Sequence, residues 1–210
     1  MYRLLVALAF SLAFSSAGFA APITFSGFDS GTSSLATSPN ATAAASAFDA
    51  AVSTSLIDFE SPVPAGVSFT NGTVTNNSTC AAAFCGYNTT AGGSNFLLRS
   101  APGVTAITFS FATPIQAFGA YFTGWEVSGQ TLAYDSTVVN MPAGGGVGIG
   151  GTLFFGFIDT AASITSITYT RRGDIAAIDD IRYGAVPEPG TLALLGLGLA
   201  GLAATRRRKQ

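Results

Sequence analysis

The residues best placed to do chemistry in this chain are carboxylates. Asp58 and Glu60 sit two apart in SLIDFES, and Asp179 and Asp180 sit side by side in AAIDDIRY, near the other end of the body. Hard oxygen donors of this kind suit general acid–base work or a cation such as calcium, which takes six to eight oxygens. Glu60 and Glu126 are the glutamates of residues 21–186, and glycoside hydrolysis needs two carboxyl groups within about 10 Å of each other in a cleft. Nothing in their spacing brings them together, so the chain is expected not to be an enzyme. A carboxylate-dependent glycoside hydrolase is the minor alternative. The sequence contains no histidine, which removes Ser-His, Cys-His and His-metal chemistry. Residues 21–186 hold ten carboxylates against Arg99, Arg171, Arg172 and Arg182, a net of −6. Nucleic-acid binding is therefore not expected, because phosphate contacts need a basic surface.

Two further groups carry chemical meaning. Cys80 and Cys85, in TCAAAFCG, are the two cysteines of the chain. In an oxidising compartment they are expected to form a short-range disulfide. The rival reading, a thiol redox pair, wants a CxxC spacing, and four residues intervene here. Tyr121 and Trp125 lie four apart in GAYFTGWEV. On one continuous strand they would share a face about 13 Å apart. Exposed, they would form a platform on which sugar rings stack; otherwise they pack as core or rim aromatics.

These groups need a scaffold, and the pattern of the chain describes one. Ile107, Phe109 and Phe111 alternate with polar or small residues before Pro114, as do Phe118, Ala120 and Phe122. Leu153–Ile158 (LFFGFI) is a nearly continuous apolar run that suits a central strand. Ile164–Thr170 and Ile175–Tyr183 complete the series, with turn clusters at 70–79, 91–95, 101–103 and 141–151. Many strands without crossover helices predict an all-β, antiparallel sandwich over residues 56–184, jelly-roll-like, its interior filled by the 17 phenylalanines. Residues 21–55 are rich in Ala, Ser and Thr, with a short helix expected at 43–52 on the Phe48/Val52 pair. The glycine run MPAGGGVGIGG lacks the Lys-Ser/Thr ending of a phosphate loop and reads as a hairpin tip.

The two ends read as addresses. Residues 1–20 form a secretory signal peptide: Arg3, the apolar run Leu4–Phe14, and the cleavage site Gly18-Phe19-Ala20 before Ala21. At the other end stand Pro187, Glu188 and Pro189, then 16 apolar or small residues at 190–205, then Arg206, Arg207, Arg208 and Lys209. The apolar run makes a helix of about 24 Å, short for a bilayer but extensible by its snorkelling arginines. The basic tail would hold the C-terminus in the cytoplasm. A plain C-terminal anchor would have this helix and tail but no need of the triplet.

In that order, residues 185–210 resemble the PEP-CTERM sorting signal. The resemblance implies a Gram-negative, exopolysaccharide-making bacterium. It also implies an exosortase partner that cuts near the Pro-Glu-Pro triplet, and a body that is membrane-tethered through its C-terminus and then released or transferred to the cell surface. The body resembles, in two short motifs, jelly-roll carbohydrate-binding modules that share a structural calcium between a Phe-Glu near the start and an Ile-Asp-Asp-Ile strand near the end. By that resemblance Glu60 and Asp179 are the matching positions. Asp180 is less favoured, since neighbouring strand residues point to opposite faces. The alternative is that these aspartates form ion pairs with Arg171, Arg172 or Arg182. The implied protein requires no cofactor beyond that calcium. It is an exported matrix or surface component, binding or structural, with a polysaccharide as its further partner.

Overall fold

The computed structural model describes residues 21–77, 81–99, 101 and 103–186. The expected signal peptide, Cys80, the Pro-Glu-Pro triplet, the apolar helix and the basic tail lie outside the described residues. In chain order the elements are β1 (Ile23–Ser30), a 3-10 turn (Leu35–Thr37), α1 (Pro39–Ala51), β2 (Ser55–Ile57), β3 (Val67–Thr70), β4 (Gly72–Thr75) and α2 (Ala82–Cys85). Next come β5 (Phe96–Arg99), β6 (Ala106–Ile115), β7 (Ala117–Thr123), β8 (Thr131–Tyr134), β9 (Thr137–Asn140), β10 (Gly151–Ile158), β11 (Ile164–Thr170) and β12 (Ala177–Gly184).

The strands form two antiparallel sheets. One runs β1-β10-β7-β12-β5-β4, with β2 also paired to β12; the other runs β3-β6-β11-β8-β9. Their inner faces meet in one aromatic core. Phe109 packs on Phe118, Phe122 on Tyr169, and Tyr134 stacks on Phe157 with ring centroids 4.7 Å apart. The other face of the larger sheet is covered by α1, where Ala41, Ala45, Phe48 and Val52 bury Ala117, Tyr121, Phe154 and Ile158. The larger sheet is thus a middle layer. A strand buried on both faces has no polar side to alternate, which is why every residue of β7 and β10 is buried. Gly119 and Gly156 face each other across those two strands and seat the Phe48 ring: a Cβ at Gly156 would lie 3.0 Å from it.

The expected antiparallel two-sheet body is present, but it starts earlier than residue 56. β1 pairs with β10 over its whole length, Ile23 opposite Ile158 and Ser30 opposite Gly151, so residues 21–55 are built into the sandwich and not set before it. The helix is also longer than the 43–52 pattern, opening at Pro39. Proline suits a first turn, where its missing N–H is not needed. The N–H groups of that turn have no acceptor within the helix and are met from outside it. The Asp29 carboxylate, on β1, accepts from Asn40 N at 3.2 Å and Ala41 N at 2.8 Å. Within the expected turn 70–79, Asn71 takes a left-handed conformation (φ 64), and the chain passes there from β3 in one sheet to β4 in the other.

Candidate functional site

The segment between α2 and β5 is gripped by carboxylates from two flanks. On one flank stands Glu60, just after β2. Its Oε1 accepts from the backbone N–H groups of Ser94 and Asn95, both at 2.6 Å, and from Asn88 Nδ2 at 3.1 Å. Its Oε2 accepts from Asn95 Nδ2 at 2.9 Å. Four donors thus close on one side chain, and Gly93 lies so near that a Cβ there would meet Oε1 at 2.5 Å.

On the other flank stand the two aspartates of β12. Asp179 Oδ2 accepts from Thr89 N at 2.6 Å and Thr89 Oγ1 at 3.1 Å. Asp180 Oδ2 lies 3.0 Å from the same Thr89 Oγ1, and its Oδ1 accepts from Thr90 Oγ1 at 2.8 Å. The expected opposition of Asp179 and Asp180 does not hold, and a bulge is the reason. Asp179 stands opposite Tyr121 and Arg182 opposite Gly119, so β12 spends one more residue than β7 over this stretch. The extra residue is Asp180, at φ 47. Its left-handed backbone brings its carboxylate back to the hydroxyl that Asp179 also reaches.

Two buried carboxylates then share one hydroxyl proton. Asp179 Oδ1 is buried and has no hydrogen-bond partner among the described residues. Burial first, and the neighbouring Asp180 charge after it, push the Asp179 carboxyl up to about 7, against the pull of the Thr89 N–H. Neutral Asp179 satisfies the group best: its carboxyl O–H donates a hydrogen bond to Thr89 Oγ1, and the hydroxyl's own hydrogen is then donated to Asp180.

The expected ion pairs do not form at this pair. Arg182 Nε binds Asp49 of α1 at 3.0 Å, its Nη1 donates to the Asp180 carbonyl rather than the carboxylate, and its guanidinium lies over the Tyr121 and Phe154 rings. Arg172 donates to the Gly129 carbonyl, and the buried Arg171 Nε has no hydrogen-bond partner among the described residues. As donors for a cation, Asp179 and Asp180 offer only oxygens, one of them unused. Glu60 stands apart from them, its carboxylate filled by amide donors. Among the described residues no three acidic side chains converge to hold a metal ion.

The other sequence candidates separate. Tyr121 and Trp125 are both buried, and on different sides of the larger sheet: Tyr121 under α1, Trp125 in the core between the sheets. The sugar platform is therefore absent. The i, i+4 spacing would put them on one face of a continuous strand, but β7 ends at Thr123 and Gly124 turns the chain at φ 72. Trp125 swings inward, its Nε1 donating to the Pro142 carbonyl at 3.3 Å. Glu126 Oε1 accepts from Gly148 N of the glycine-rich loop, so Glu126 and Glu60 serve different loops. Cys85 is buried in α2; its expected partner Cys80 lies outside the described residues.

Sequence reading missed the Thr89/Thr90 anchor and Asp174. The Asp174 carboxylate is buried and accepts from Glu126 N, Val127 N and Gln130 Nε2. Short polar loops carry no periodic signal, and a hydroxyl or amide that ties a loop is recognisable only once its carboxylate is placed.

The larger sheet also fixes where the chain leaves the body. Gly184 stands opposite Ala117, Ala117 opposite Ile158, and Ile158 opposite Ile23, so β1 begins and β12 ends at the same end of the sandwich. Gln116 ties that exit: its Oε1 accepts from Val186 N at 3.0 Å and its Nε2 donates to the Thr160 carbonyl at 2.7 Å. No helix among the described residues is long and apolar enough to cross a membrane.

The segment beyond Gly184 places the protein in a class. Residues 185–209 match the PEP-CTERM protein-sorting motif. The motif marks an exported surface protein that an exosortase processes, its C-terminus membrane-anchored before processing. No curated protein and no solved structure matches the chain.

Proposed function

We propose that the mature protein is a non-catalytic component of the cell surface or of an extracellular polysaccharide matrix, carrying a jelly-roll-like sandwich whose role there is structural or binding. The sorting motif carries this reading, because it marks the body for export to the cell surface. The body suits that place: the chain is only 10% charged, with a large aromatic core and loops tied by hydrogen bonds rather than by ion pairs. The proposed Cys80–Cys85 disulfide would fix the short α2 in the same oxidising space. The test is deletion of the gene, with surface attachment, floc formation and retention of tagged protein on native exopolysaccharide as readouts. The reading predicts weakened attachment and retention; unchanged attachment together with no retention would refute it.

The unused Asp179 oxygen favours one addition. We infer that Asp179 and Asp180 hold a structural calcium ion, with Thr90 and the Asp58 carbonyl as neighbouring oxygens, and that Glu60 fixes the loop without binding the ion. Calcium would supply charge compensation that the pair lacks. Melting in calcium against melting in chelator tests this: the wild type should rise by several degrees and Asp179→Ala should not. No shift in the wild type would refute it.

A further inference from the structure

The start of β1 borders a cavity of about 520 Å³, lined by Ala21 and Pro22 together with Asp135, Thr137, Asp159 and Ser163. The pairing of Ile23 with Ile158 is what brings Ala21 and Pro22 beside Asp159. Asp135 occupies the turn between β8 and β9 at φ 48, and its carboxylate takes no hydrogen bond among the described residues. Asp159 Oδ2 accepts from the Tyr134 hydroxyl at 2.8 Å and its Oδ1 from Ala161 N at 3.1 Å. Burial and the Asp159 charge hold the Tyr134 phenol protonated, so it brings no charge of its own. Among the described residues no arginine or lysine lines the cavity. Two carboxylates thus line it, the exposed Asp135 and the half-buried Asp159, with no cation among the described lining residues.

The chain can supply one. Hydrolysis of the Ala20–Ala21 amide adds one water across the bond, leaving a carboxylate on Ala20 and an ammonium group on Ala21. We propose that this cavity is the socket of the Ala21 α-ammonium group, so that removal of residues 1–20 creates an ion pair with Asp135 and Asp159 that locks β1 onto the body. The proposal rests on the export reading for its cleavage. The uncleaved chain has a neutral amide at residue 21 and cannot make the lock. The mature fold therefore gains this contact only after it has crossed the membrane. β1 is an edge strand, paired on one side only, so the contact secures it at its free start.

The sequence provides a clean assay, because residues 21–186 contain no lysine and Lys209 is resolved by peptide mapping. The exported protein is purified, its N-terminus read by mass spectrometry, and the pH dependence of amine acylation at Ala21 measured. An unperturbed α-amine titrates at about 7.7–8.0. The proposal predicts an N-terminus at Ala21 and an amine shifted upward by about one unit or more, which slows acylation at pH 7.5 by about tenfold. It also predicts return to the ordinary range in the Asp135→Asn/Asp159→Asn double variant. An ordinary amine in the wild type overturns the socket while leaving export intact. An N-terminus elsewhere overturns the proposal through its cleavage step, which the same spectrum reports separately.

Discussion

Asp179 should make this protein lose stability as pH rises through neutrality, opposite to the behaviour of a carboxylate held in a salt bridge. The folded carboxyl titrates at about 7, against an ordinary value of 3.8, so between those values the folded state holds a proton the unfolded chain has released. Stability then falls with pH by about 1.4 kcal/mol per unit, the full contribution being present below 3.8 and lost above 7. From pH 5 to pH 7.5 the loss is about 2.5 kcal/mol, or a fall in Tm of about 5–10 °C for a domain of this size. The window is unusually clear, because the chain has no histidine to titrate in it. The assay is urea unfolding at half-unit intervals from pH 5 to 7.5 in chelator, on the wild type and Asp179→Asn. The asparagine keeps an acceptor for Thr89 N and removes the charge, so it should flatten the slope and be the more stable form at pH 7.5. A wild-type curve that is level or rises, or an Asp179→Asn curve of the same slope, would refute the reasoning.

Asp29→Ala should cost about 1–2 kcal/mol in urea unfolding, since it removes the acceptor for two first-turn N–H groups of α1. Gly156→Ala should destabilise by about 1–3 kcal/mol, because its Cβ presses on the Phe48 ring, and Phe48→Leu in the same chain should recover part of that loss. Trp125→Ala should cost about 3–5 kcal/mol by opening a cavity in the core between the sheets. It should leave polysaccharide retention of the folded fraction unchanged, as measured by pull-down at a temperature well below its Tm.

How legible each segment was in the sequence depends on where it is buried. The run Leu153–Ile158 announces β10 because a strand covered on both faces is apolar throughout, and Ile107, Phe109 and Phe111 announce β6 because one face is wet. β1 hides in a polar, glycine-containing stretch because it is an edge strand. Gly27 is there to let the Asn40 carbonyl of α1 pass, at 2.0 Å from where a Cβ would sit. β6 runs on past Pro114, since at that exposed position no ladder partner needs its N–H. The acidic motifs pointed to residues 60, 179 and 180 as a shared calcium site, and the structure instead has Glu60 apart from the aspartate pair; alternation also assumed a regular strand. The left-handed backbone at Asp180 and at Gly124 is a local event that reverses which way a side chain points. Those two residues separate the site expected from the site found: one joins Asp180 to Asp179, the other parts Trp125 from Tyr121.

Export and sorting are the foundation of the proposed function, and intact mass measures both ends of the chain at once. Protein recovered from the surface fraction of exosortase-positive cells should begin at Ala21 and end near residues 187–189, and exosortase-negative cells should yield a membrane-bound form that still carries the stretch up to Gln210. A protein that keeps residues 1–20, or whose C-terminal mass is the same with and without the exosortase, would contradict it.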